Sequence, residues 1–181
     1  FVTTYDQGQT IDGNVILGTE LNNRVVDSTA LLTTEQVKSG WIALNTDRND
    51  LILAGGGNDT IYGWGGNDIL YGETGNDTLY GGLGDDIMLG GQGFDTYIID
   101  GNDRIIDSDD KGILQDKNGK EIAGIFIKQA DGTYQWTNNT QVTATKNSPL
   151  TLYLPDGSTV VIENQANNGD FGMHLLDTPV E

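Results

Sequence analysis

Between residues 45 and 98 the apolar positions follow neither the period of a helix nor the strict alternation of a long strand. They come as triplets nine residues apart: Leu51-Ile52-Leu53, Thr60-Ile61-Tyr62, Ile69-Leu70-Tyr71, Thr78-Leu79-Tyr80, Ile87-Met88-Leu89 and Thr96-Tyr97-Ile98. Six residues rich in glycine, asparagine and aspartate separate each triplet from the next. Such a pattern gives a helix no buried stripe and fills it with its weakest formers. Strand and turn must alternate, and a three-residue strand is too short to stand alone. The copies therefore coil and stack, two nonapeptides per turn, each strand pairing with its equivalent eighteen residues away. The expected fold is all-β, a parallel β-roll. Side chains alternate along a strand, so the middle residues, Ile52, Ile61, Leu70, Leu79, Met88 and Tyr97, form the interior stack. Of the two outward faces, one carries Leu51, Leu53, Ile69, Tyr71, Ile87 and Leu89, too apolar to leave in water. The flanking segments are expected to pack on it. The other carries Thr60, Tyr62, Thr78, Tyr80, Thr96 and Ile98, which water tolerates.

Written out, the copies are AGGGNDTIY (54–62), GWGGNDILY (63–71), GETGNDTLY (72–80), GGLGDDIML (81–89) and GGQGFDTYI (90–98), preceded by a degenerate NTDRNDLIL (45–53). Glycine at the fourth position (Gly57, Gly66, Gly75, Gly84, Gly93) permits a positive φ and lets carbonyls turn toward a common point. Arg48 breaks it in the first copy. The sixth position is always aspartate: Asp50, Asp59, Asp68, Asp77, Asp86 and Asp95. Two loops one coil apart offer two carboxylates plus backbone carbonyls near Gly55, Gly57, Gly63, Gly66, Gly72, Gly75, Gly81, Gly84, Gly90 and Gly93. A hard, oxygen-rich cage of six to eight ligands suits calcium, whereas magnesium resists giving up its waters. Stacking pairs Asp50 with Asp68, Asp68 with Asp86, Asp59 with Asp77 and Asp77 with Asp95, which makes about four calcium sites, the weakest beside Arg48. Asp103, eight residues after Asp95 instead of nine, is a further candidate ligand in a closing half-turn. The acidic run Asp107 to Asp110 reads as a solvated turn ahead of another calcium site.

These nonapeptides resemble the RTX, or haemolysin-type, calcium-binding repeats of proteins exported by Gram-negative bacteria. The resemblance implies one-step export by type I secretion machinery, unfolded passage at low cytosolic calcium and folding outside the cell. It also implies a larger parent with an upstream domain, a toxin, hydrolase or adhesin. The flanks divide the chain into an N-terminal cap (1–44), the roll (45–107) and a C-terminal β-hairpin cap (108–181) packed with the roll as one domain. Strand-like pieces fall at Asn14 to Leu17 and Arg24 to Asp27, a short helix at Thr33 to Ser39, where Thr33 and Gln36 match a capping box. Asp-Gly turns between alternating apolar residues mark hairpins at 124–137 and 150–163, and the tail from Gly169 to Leu175 reads as one more strand.

Charge sharpens the picture. Of a formal net charge of −18, residues 45–110 hold 14 carboxylates against two arginines, a local −12. Without metal, repulsion and glycine entropy oppose folding, so binding and folding are one event. The acidic balance argues against nucleic acid. No apolar run approaches the ~20 residues of a membrane span, and no signal segment opens the chain. There is no cysteine, so metal staples stand where disulfides would. For catalysis the chain offers one histidine, His174, and no G-x-S-x-G or H-E-x-x-H; no catalytic residue is assigned to this fragment. The leading reading is a secreted, calcium-folded module of a larger protein. The alternative is an adhesive or ice-binding surface built on Thr60, Thr78, Thr96, Tyr62 and Tyr80.

Overall fold

The structure is a computed structural model that describes residues 48–109, 111–145, 149–163 and 170–177, and the backbone of five segments before them, 3–4, 10–11, 15–19, 24–27 and 41–44. The helix expected at Thr33 to Ser39 lies outside these residues. Among the described residues five strands precede the repeats: β1 (Thr3–Thr4), β2 (Thr10–Ile11), β3 (Val15–Thr19), β4 (Arg24–Asp27) and β5 (Trp41–Leu44). Each repeat triplet opens a strand: β6 (Leu51–Gly55), β7 (Thr60–Gly65), β8 (Ile69–Thr74), β9 (Thr78–Leu83), β10 (Ile87–Gln92) and β11 (Asp95–Ile99). Then follow β12 (Arg104–Ile106), β13 (Gly112–Asp116), β14 (Gly124–Lys128), β15 (Tyr134–Trp136), β16 (Asn139–Thr145), β17 (Leu150–Tyr153), β18 (Thr159–Glu163) and β19 (Met173–Leu176).

The strands build the two walls of a parallel roll. β3, β6, β8, β10 and β12 lie side by side in one sheet, and β5, β4, β7, β9, β11 and β13 in the other. Register is the expected eighteen: Leu51 pairs with Ile69, Ile69 with Ile87, Thr60 with Thr78 and Thr78 with Thr96. All six residues of the interior stack are fully buried, and Ile105 and Leu114 extend the stack beyond the repeats. The proposed half-turn at 101–107 is a full strand, β12, that reaches the sheet through a loop one residue short. Parallel pairing also runs past residue 107, since β13 pairs with β11.

The first sheet does not end at β12. It continues through β18, parallel to β12, into an antiparallel meander of β18, β17, β16, β15 and β14, with β19 parallel to β14 at the far edge. Both Asp-Gly hairpins are present, Phe126 opposite Trp136 and Leu152 opposite Val160. Strand β16, which joins them, has no counterpart in the sequence reading: its outward residues are Asn, Thr and Gln, and only Val142 and Ala144 face the core. Roll and meander share one apolar cluster, in which Tyr97 meets Phe171 edge to face at 5.8 Å. The second apolar set stands apart. Leu51, Ile69 and Ile87 are 4%, 0% and 5% exposed and pack with Leu53, Tyr71, Leu89 and Ile106. The opposite outward face keeps its threonines and tyrosines half-exposed.

Candidate metal centre

The turn of each repeat is fixed by backbone that a side chain would obstruct. Gly57, Gly66, Gly75, Gly84 and Gly93 take φ of 109°, 113°, 136°, 138° and 138°. A Cβ on Gly75, Gly84 or Gly93 would overlap the carbonyl oxygen of the glycine one coil earlier, and on Gly66 that of Arg48. The coils thus touch through backbone at this position, and the degenerate first loop keeps the contact.

All six repeat aspartates are buried, at most 2% exposed. One oxygen of each later carboxylate is tied: Asp68 Oδ1 accepts the Asp50 N–H at 2.7 Å, Asp77 Oδ1 that of Asp59 at 2.7 Å, Asp86 Oδ1 that of Asp68 at 2.8 Å and Asp95 Oδ1 that of Asp77 at 2.8 Å. The pairs are those expected from the stacking. The second oxygen is left over: Oδ2 of Asp68, Asp77, Asp86 and Asp95 is buried with no hydrogen-bond partner. A Cβ on Gly63 would overlap both Asp68 Oδ2 and the carbonyl oxygen of Gly81, so the two oxygens face one small space above that glycine. Asp77 Oδ2 and the Gly90 carbonyl share the equivalent space above Gly72. Unpaired buried carboxylate oxygens are costly. A carboxylate oxygen of one coil and a carbonyl of the next facing one space supply two of the six to eight oxygens that calcium takes.

Burial sets the electrostatics. It pushes Asp68 up to about 8, helped by Asp86 and Asp50, and Asp77 to about 6. Asp86 and Asp95 rise to about 7 for the same reason. These groups resist ionising together unless positive charge lies among them. Among the described residues no three His, Cys, Asp or Glu side chains form one metal cluster, so a cation here rests on paired carboxylates and carbonyls.

Asp103 joins the stack: it is 1% exposed, its Oδ1 accepts the Asp86 N–H at 3.3 Å, and burial pushes it up to about 7. Asp107 instead accepts the Tyr97 hydroxyl at 2.7 Å, while that hydroxyl oxygen accepts the Gly90 N–H at 3.1 Å. The other end of the acidic run forms a local turn, where Asp109 accepts its own N–H neighbour Lys111 at 3.3 Å. His174 is an exposed residue of β19.

Two features were missed in the sequence. The fifth position is a second ladder: Asn49, Asn58 and Asn76 Oδ1 accept the N–H of Asn67, Asn76 and Phe94 one coil later, at 2.7, 2.9 and 2.8 Å. It runs opposite to the aspartate ladder, and the repetition of asparagine in four copies was its signal. The second position also takes positive φ, at Gly55, Gly82 and Gly91 but equally at Trp64 (77°) and Glu73 (75°). Those two side chains hid the requirement.

Residues 45–79 and 65–97 match the model of the RTX calcium-binding nonapeptide repeat (4 copies), and this stretch is an array of RTX repeats. The solution structure of the AlgE6R3 subunit from the Azotobacter vinelandii mannuronan C5-epimerase is similar at 20% identity over 92% of this chain and 83% of that one, with a TM-score of 0.26. No curated protein matches the chain.

Proposed function

We propose that the chain is a calcium-triggered folding module of a secreted protein, in which about four cations sit between Asp50 and Asp68, Asp68 and Asp86, Asp59 and Asp77, and Asp77 and Asp95. The observation that carries this reading is the row of buried, unpartnered Oδ2 oxygens, each beside the first glycine of its own repeat. Asp103 continues the carboxylate ladder by one coil, but its Oδ2 differs from the others in accepting the Asp100 and Gly101 N–H groups. A bound cation would neutralise carboxylates whose ionisation burial otherwise disfavours and would tie adjacent coils together. Calcium is abundant outside cells and scarce in cytosol, which supports folding after export, and the acidic, glycine-rich coils would stay unfolded until then. The shared core of roll and meander supports treating them as one folding unit. Catalysis, if the parent protein performs any, belongs to another part of it. Among the described residues no helix is long and apolar enough to cross a membrane.

Circular dichroism in chelator, then in calcium, then in magnesium tests the proposal. Calcium is expected to convert a largely disordered chain to β-structure, and magnesium to do so poorly. Asp77→Ala, which touches two of the four sites, should shift the calcium midpoint further than Asp50→Ala, which touches one. The same β-spectrum in chelator and in calcium would sink the coupling of metal to folding.

A further inference from the structure

On the outer side of the second sheet, Trp64 of β7 pairs with Gly82 of β9, and Tyr62, Tyr80 and Ile98 form the row two residues earlier. Asp100, two residues past Ile98, stands on the far side of Gly82, and its carboxylate accepts the Gly82 N–H. Because Gly82 has no side chain, a slot opens above it between an indole and a carboxylate. Two strand spacings, roughly 9–10 Å, separate the backbones that carry these walls. The slot belongs to a cavity of about 290 Å³ whose lining also includes Tyr80, Leu83 and Lys117. Asp100 and Lys117 are shared with an adjoining cavity of about 260 Å³, at the junction with the C-terminal meander.

Two observations separate this slot from an incidental crevice. Trp64 holds φ of 77° where three other copies place glycine, yet the residue remains 45% exposed. Backbone strain at a side chain left nearly half in solvent motivates a functional reading of that side chain. The indole is braced by Tyr62 (centroids 5.7 Å apart, 29°), which stacks on Tyr80 (4.2 Å, 15°). Across the slot stands Asp100, part-exposed, with its Oδ1 buried and without a hydrogen-bond partner. An apolar ring face opposite a carboxylate and an ammonium matches a pyranose, which has a C–H face and a rim of hydroxyls that both donate and accept. Asp100, Asp116 and Asp156 outnumber Lys117 and Lys120 around the two cavities, in a chain of charge −18. A polyanion is therefore disfavoured.

We propose that the slot over Gly82 is a binding site for a neutral oligosaccharide, one sugar ring lying on Trp64 with its hydroxyls bonded to Asp100 and Lys117. The site needs the folded roll and is independent of the number of cations that fold it.

The test is isothermal titration of the calcium-loaded chain, its fold checked by circular dichroism, with hexaoses of β-1,4-glucose, β-1,4-mannose, β-1,4-xylose and α-1,4-glucose. At least one should bind and protect the exposed indole from iodide quenching. Trp64→Gly, which gives this loop the residue of its neighbours, should raise the thermal midpoint and weaken that hexaose at least tenfold. Glu73→Gly relieves the same backbone position elsewhere and should raise the midpoint with affinity unchanged. The proposal is overturned if none of the four binds at millimolar concentration, if Trp64→Gly binds like the parent chain, or if a polyuronate hexaose binds more tightly than all four. Should Trp64→Gly fail to fold, the quenching of the unsubstituted chain decides, protection supporting the site and its absence overturning it.

Discussion

At the scale of single residues, the two oxygens of each aspartate do different work. Oδ1 replaces a turn's missing hydrogen-bond acceptor, and Oδ2 is reserved for positive charge. Without a cation the reserved oxygen is a liability, and the liability depends on pH. Asp77 at about 6, Asp86 and Asp95 at about 7 and Asp68 at about 8 all lie above the ~3.9 of an unfolded aspartate. The folded metal-free chain therefore holds more protons than the unfolded one, and its stability, fully present below about pH 4, is lost as pH rises toward 8. Calcium reverses the sign, because protons then compete with the cation. Far-ultraviolet dichroism across pH 4 to 8 should show β-structure fading with rising pH in chelator and strengthening with rising pH in limiting calcium; parallel trends would contradict the assignment. The aspartates were legible in the sequence because they recur at a fixed interval. The asparagine ladder was not, because asparagine is also an ordinary turn former and only the through-space partner reveals its second role.

At the scale of elements, a three-residue triplet carries enough pattern to set which side chain faces in. Ile61 and Leu79 had to be inside once the period was seen, and both are fully buried. The unequal outer faces were legible for the same reason, and Ile69 makes the difference measurable. It is fully buried between Leu51 and Ile87, so Ile69→Asp loses apolar burial and leaves a charge unpaired, a cost of at least about 3 kcal/mol. Thr78→Asp, on the half-exposed threonine row, should cost less than about 1 kcal/mol. Calcium-loaded thermal melts compare the two, and equal losses would mean that the faces are energetically alike. Strand β16 escaped detection because a polar strand with two small inward residues has no apolar alternation to see. The parallel partnership of β14 with β19 joins residues far apart in sequence, a pairing that no local turn signal announces.

At the scale of the whole molecule, the roll is a stack in which each coil contacts only its neighbours. The join between roll and meander gives the stack unequal ends. At the C-terminal end, β12 is paired with β18, Arg104 bonds Glu163 at 2.6 Å, and Asn102 Oδ1 accepts the Thr159 N–H at 3.0 Å. The meander strands are linked by short hairpins whose contacts are local and quick to form. A chain in this arrangement has a nucleus built in. The edge of β18 is a template on which the first coil can condense without the entropic barrier of starting an isolated one, and later coils add in sequence toward the N-terminus, past the irregular Arg48 loop to β3, β4 and β5. A chain stopped after residue 107 keeps all six repeat aspartates but loses the template. In stopped-flow mixing with calcium it should show a lag and a higher calcium midpoint than the full chain; matching kinetics would place the nucleus within the repeats themselves. The meander then acts as a clock and a compass for the roll, fixing when ordering begins and the direction in which it travels.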